Sequence, residues 1–122
     1  MITILLLVIA GICNSIMDVL ENKFNTSIFS NYKNQNWINP VLSWKNKWKN
    51  GDPDKGEKFL FSSTALVCLT DLWHLSKFIM LMCLSLSIIF YQELFGIYDF
   101  IIFYCVFTIV YQIFLSFILI KK

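Results

Sequence analysis

Asp71, His74 and Lys77 stand within seven residues of one another inside an apolar stretch, LVCLTDLWHLSKFIMLMCLSLSIIF, Leu66 to Phe90. On a helix the Asp71-x-x-His74 spacing puts a carboxylate beside an imidazole. Such a pair can act as general acid and base, so Asp71 and His74 are the candidate catalytic residues. A second acidic set, Asn14, Asp18 and Glu21, falls at i, i+4 and i+7 in the first apolar segment. If the two clusters meet, Asp18, Glu21, Asp71 and His74 form an oxygen-rich set with one imidazole. Helical bundles build divalent-metal sites from carboxylates and a His at i, i+3 from a carboxylate. A divalent metal is therefore the candidate cofactor, able to activate water or to receive a lipid headgroup. The plainer reading is that Asp71, His74 and Lys77 pair with one another, or that Lys77 snorkels to the interface, with Asp18 and Glu21 marking where the first helix leaves the membrane.

Other chemistry is excluded or weak. There is no G-x-S-x-G and no phosphate-binding loop. A single His excludes the multi-His iron sites of membrane hydroxylases. Asp52-x-Asp54-x-Gly56 lacks the later ligands of a calcium loop and reads as a Pro-Asp turn. Ser62-Ser63-Thr64 reads as a hydroxyl cluster that caps a helix. Cys13, Cys68, Cys83 and Cys105 form no C-x-x-C pair, and each lies in an apolar run, so they read as buried hydrophobes.

The elements that must position these residues follow from composition. The chain has 122 residues, 57% hydrophobic and 15% charged, where soluble domains carry about 25% charged residues. The apolar residues come in blocks, the pattern of membrane spans. Net charge is +2 with ten Lys and no Arg, which argues for no nucleic-acid partner. The expected fold is an all-α membrane protein in one integral domain, with three transmembrane helices over about 2–20, 78–95 and 100–120. Met1 to Met17 is uncharged and lacks the basic start of a signal peptide, and Ile12 is too large for lipoprotein cleavage before Cys13. The first helix is therefore expected to be retained.

Residues 21–58 form a polar connection with seven of the ten Lys. Within it NPVLSWKNKWKNG predicts a short helix, capped by Asn39, begun at Pro40 and stopped at Gly51. Trp37, Val41, Trp44 and Trp48 share one face of it, interleaved with Lys45, Lys47 and Lys49. Trp and Lys together favour the membrane interface, so Trp37, Trp44, Trp48, Lys45, Lys49 and Lys77 are the expected interfacial residues. Residues 59–77 are expected to be interfacial, re-entrant or a helical extension. On the last span Cys105, Thr108, Gln112 and Ser116 make a small, polar stripe suited to helix packing.

Lys distribution sets the expected orientation. The Lys-rich connection and the Lys121-Lys122 tail go to the cytoplasm; the acidic ELFGIYD turn and the N-terminus go outside. Three spans in the cytoplasmic (inner) membrane satisfy this. Four spans, the alternative, leave a Lys-bearing end on the wrong side.

NPVLSWKNKWKNG and GEKFLFSSTALVCLTDLWHLSKF, with the GICNSIMD start, resemble a small group of polytopic membrane proteins of bacteria and their phages. The resemblance covers roughly residues 39–78. It implies a membrane location and treats Asp71-Leu72-Trp73-His74 as a unit, and it implies no reaction. NSIMDVLE invites comparison with small diacylglycerol kinases, but the order and spacing of the acidic and amphipathic segments differ here. Two function classes follow. One is a small membrane protein with an intramembrane acid/His site for a metal or lipid headgroup. The other is non-catalytic: a subunit or regulator of a larger complex, a homo-oligomer, or a holin-like pore former.

Overall fold

A computed structural model describes residues 1–121, so the last residue of the expected Lys121-Lys122 tail lies outside the described residues. The described chain is helical, with two isolated β-bridges and no strand. Its frame is three long apolar helices: α1 (Ile2–Asn22), α4 (Leu72–Ile89) and α5 (Asp99–Ile113), the last continued by a π-helical turn, Phe114–Ile118. Each is long and apolar enough to cross a membrane. Three spans account for the apolar sequence, and the four-span alternative is not needed. Two single-turn helices, α2 (Gln35–Ile38) and α3 (Pro40–Ser43), lie in the connection.

The middle helix is α1. Both α4 and α5 pack on it and touch each other little. Its buried face carries Ala10, Gly11, Cys13 and Ser15, small side chains that let neighbouring backbones come close. At Gly11 a Cβ would stand 2.9 Å from the Phe107 carbonyl oxygen and 3.4 Å from Val110 Cβ. Glycine is thus required by the α1–α5 crossing itself.

Both ends of the bundle are tied. At one end Thr3 Oγ1 donates to the Phe90 carbonyl at 2.9 Å, fastening the start of α1 to the end of α4. There Asp99 accepts from Tyr91 Oη, Leu94 N and Phe95 N, each at 2.9 Å, which shapes the tight α4–α5 turn. At the other end the Ile28 N–H donates to the Leu119 carbonyl and the Lys121 N–H to that of Thr26, each at 2.9 Å. The chain after α5 therefore pairs with the chain after α1, and the connection lies at the same end as the last described residues. The apolar core sits under this end, where Val19, Leu20, Phe29, Ile38, Leu115 and Leu119 are buried together.

Three expected boundaries change. The second span runs over Leu72–Ile89 rather than 78–95, because Asp71 caps a helix that begins at once. Its 18 residues extend about 27 Å, close to a hydrocarbon thickness of about 30 Å. Segment 59–77 is consequently not one element. Residues 72–77 are the first turns of the span, and the chain before them is a series of turns ending in a 3-10 turn, Val67–Leu69. The expected 13-residue amphipathic helix is also broken. Asn39 does cap, accepting from Val41 N at 3.0 Å, and Pro40 does begin a helix. That helix closes after one turn, tightens to 3-10 over Trp44–Lys47 and ends at an extended Trp48. Residues 47–58 then form a hairpin-like loop, with Lys58 N donating to Lys47 O at 2.9 Å and Lys49 N to Gly56 O at 3.0 Å. The expected Pro-Asp turn is present within it, with Asp52 accepting from Asp54 N at 3.1 Å.

Candidate functional site

Asp71 is the organising residue. Its backbone is extended (φ −159°, ψ 164°) and its carboxylate accepts from the His74 backbone N–H at 2.9 Å, a helix N-cap. The same carboxylate meets His74 Nδ1 at 2.8 Å, and Thr70 Oγ1 donates to it at 3.1 Å. Asp71 is buried while its imidazole partner is partly open. The Asp-His pairing expected from spacing is therefore formed, and it doubles as the start signal of α4.

The orientation of the ring has a chemical consequence. A carboxylate facing Nδ1 fixes the proton on that nitrogen and leaves Nε2 as the reactive end. Nε2 points to Lys47 Nζ at 3.4 Å. An ammonium can only donate, so in this contact Nε2 is the acceptor. Protonation of Nε2 would give an imidazolium held by Asp71.

Lys47 is brought here by the hairpin-like loop. Its carbonyl accepts from Lys58 N and from Ser62 Oγ, the latter at 2.7 Å. Next to it Asn46 donates to the carbonyls of Asn36 and Thr70, at 2.7 and 2.9 Å, stitching the loop to the start of α4. A cavity of about 210 Å³ opens beside the line, walled by Glu21, Ser43, Trp44, Asp71, Trp73 and His74. Trp73 stands edge-on to His74, centroids 4.9 Å apart.

The four residues expected to share a metal are divided. Glu21, Asp71 and His74 line one cavity. Asp18 instead accepts from Tyr111 Oη on α5 at 2.8 Å and from Asn22 Nδ2 at 2.6 Å. Among the described residues no three His, Cys, Asp or Glu side chains gather as a metal set. The physical reason is that α1 lies between α4 and α5, and Asp18 is turned to the opposite neighbour. The Asp18–Tyr111 bond joins two spans, where such bonds contribute about 0.6–2 kcal/mol. Tyr111→Phe should therefore lower thermal stability of the detergent-purified protein by about 1 kcal/mol. An unchanged melt would show that the bond carries no weight.

The expected interfacial residues also divide. Trp44, Lys45, Lys49 and Lys77 are exposed and Trp48 is half-buried. Lys45 and Lys77 lie over the Trp44 and Trp73 rings, at 5.8 and 5.1 Å. Trp37 instead packs against the apolar core under the bundle. On α5 the expected packing stripe is turned away from α1: Cys105, Gln112 and Ser116 are exposed and Thr108 is half-buried. The contact with α1 is made by Phe107 and Val110, which fit the space that Gly11 leaves. Cys13, Cys68 and Cys83 are buried as expected, and Cys105 is exposed.

Sequence reasoning gave Lys47 no part in the site. Nothing local marks it, since its partner His74 is 27 residues away. Ser43 was likewise missed as a cavity-lining hydroxyl. In comparisons with known proteins the chain matches no family model, no curated protein and no solved structure.

Proposed function

We propose that this is a small integral membrane protein that binds a phospholipid headgroup at the Lys47–His74–Asp71 line. What carries the reading is the contact between Lys47 Nζ and His74 Nε2, 3.4 Å apart, beside a Trp-lined cavity at the end of a membrane-spanning helix. A phosphate arriving there takes the Lys47 ammonium as its partner. Nε2, released from Lys47, takes up a proton from the solvent as the phosphate binds, and the resulting imidazolium donates to the phosphate with Asp71 behind it. Charge-assisted bonds of this kind are about twice as strong as neutral ones. Glu21 in the same wall suits the ammonium of a zwitterionic headgroup. Trp44 and Trp73 suit the glycerol level of the bilayer, where tryptophan concentrates. In this reading the site faces the cytoplasm, with the N-terminus outside. Lys23, Lys33, Lys45, Lys47, Lys49, Lys55 and Lys58 all belong to the connection, and the positive-inside rule places it there.

The test is a titration of the detergent-solubilised protein with short-chain phosphatidylethanolamine, read by tryptophan emission. Saturable binding should weaken about tenfold or more in Lys47→Gln and in His74→Ala, the loss of one charge-assisted bond. Lys55→Gln, on the exposed turn, should titrate as the native protein does. Equal titration of all four proteins would sink the proposal.

A second reading, a subunit of a larger membrane complex or a homo-oligomer, is favoured by one observation. Among the described residues the Gln112 and Ser116 side chains bond only to each other, at 2.9 Å, on an exposed face of the last span. An amide facing lipid is costly, and a neighbouring helix would relieve it. Cys105, exposed on the same helix, should then form an oxidative crosslink in native membranes; its absence, with the chain fully present, counts against a symmetric contact at that face.

A further inference from the structure

The segment between the hairpin-like loop and α4 is built inside out. Two of its polar side chains, Ser62 and Thr70, point inward, while Ser63 is half-buried and Thr64 exposed. Ser62 is 0% exposed and donates to Lys47 O. Thr70 is buried and donates to Val67 O at 2.7 Å. Its large apolar side chains point outward: Leu60 is 72% exposed and Leu69 60%, and Phe59, Phe61 and Leu66 are exposed with them. A soluble loop has the opposite polarity, since exposed apolar surface of this kind marks a binding face.

The shape is also fixed. Glu57 accepts from Phe61 N at 3.0 Å, from Ser63 N at 3.1 Å and from the Ser63 hydroxyl. These bonds hold the Glu57 carboxyl below the usual carboxylate range, the Ser63 hydroxyl contributing most. They also close a turn in which Phe61 adopts φ +60°, a left-handed conformation unfavourable for an aromatic residue. A strained backbone is kept only where surroundings over-determine it. Here the Glu57 latch does so, and its effect is to present Leu60 and Phe61 at the tip.

We infer that residues 57–70 are a re-entrant loop that inserts Phe59, Leu60, Phe61, Leu66 and Leu69 into the membrane leaflet where α4 begins. The occupant of this apolar face is lipid, for two reasons on the molecule itself. Leu69 lies three residues before Leu72, the first residue of a span, and the Val67–Leu69 turn packs on that span, so the patch adjoins a membrane-spanning helix. Lys58 and Lys49, at the other edge, are exposed and suit anionic headgroups above an inserted tip. Such segments sit about 5–10 Å into the headgroup and acyl boundary. Because Ser62 bonds to Lys47, the same loop also sets the depth of the Lys47 ammonium. The inference does not require that ammonium to bind a headgroup.

The test uses full-length protein carrying Cys105→Ser, so that the remaining native thiols are buried ones. Leu60→Cys and, as a polar control, Asp54→Cys are labelled with an environment-sensitive fluorophore. Both are reconstituted into phosphatidylcholine–phosphatidylglycerol vesicles. The Leu60 probe should be quenched by lipids with a nitroxide near the top of the acyl chain and several-fold less by aqueous iodide than the Asp54 probe. Adding Glu57→Ala should reverse much of that protection. Equal iodide quenching at both positions overturns the inference. Protection of the Leu60 probe from both quenchers also overturns it, because a protein partner or a second copy would then cover the patch. Unlabelled native protein provides an independent check. A photoreactive phospholipid should crosslink to the peptide containing residues 59–66, and no adduct there alongside adducts on α4 and α5 contradicts the inference.

Discussion

Asp71→Ala should lower the unfolding free energy of the detergent-purified protein by about 2.5–4 kcal/mol. Two losses combine. The N-cap of α4 disappears, which costs about 1 kcal/mol in typical cases. His74 loses a buried carboxylate, and bonds to charged groups contribute about 1.5–3 kcal/mol. Asp71→Asn separates the two. An amide oxygen can still accept from the His74 backbone at the position Asp71 uses at 2.9 Å, so the cap survives. The charge behind the imidazole does not. Asp71→Asn should therefore recover roughly the cap's ~1 kcal/mol while headgroup binding stays weakened. If Asp71→Ala melts like the native protein, the carboxylate is neither cap nor partner. If Asp71→Asn binds phosphatidylethanolamine normally, the residue is a cap and nothing more.

Gly11→Val should have an effect of similar size by a different route. The added Cβ would stand 2.9 Å from a backbone oxygen of Phe107, and a backbone cannot turn aside as a side chain can. The helices must separate or rotate. Overpacking of this kind costs about 1–3 kcal/mol, and the two γ-methyls of valine put it toward the upper end. Separation also stretches the Tyr111–Asp18 bond two turns along. Gly11→Val and Tyr111→Phe should therefore combine less than additively, since they act on one contact. Full additivity in thermal melts would show that the crossing and the hydrogen bond are independent.

The spans were legible because hydropathy is written locally. So were the Asn39 cap, the Asp52–Asp54 turn and the Asp71–His74 pair, each a relation among residues at most three apart. The position of the second span was not. Hydropathy windows place a span where charges are fewest, whereas a cap places a helix where its first free N–H groups find an acceptor. Asp71 starts the helix at Leu72, six residues before the apolar run becomes uninterrupted at Phe78. The tryptophan face failed for a related reason: periodicity assumed one helix, and an extended Trp48 interrupts it. Long-range partners carried no sequence signal. His74 to Lys47 spans 27 positions and Asp18 to Tyr111 spans 93. The metal set illustrates the same gap, because shared depth on two helices does not determine which neighbour each side chain faces.

The central position of α1 has a consequence for how the protein is made. It precedes both of the helices that pack on it in chain order. Asp18 has only Asn22 as a local partner until Tyr111 emerges 93 residues afterwards. At about 5–20 residues per second of synthesis, α1 waits roughly 5–20 s with a carboxylate near its end unsatisfied from the α5 side. During that interval the Gly11 surface that α5 will cover is also bare. The fold therefore closes only once α5 has been made and the chain after it pairs with the chain beyond α1.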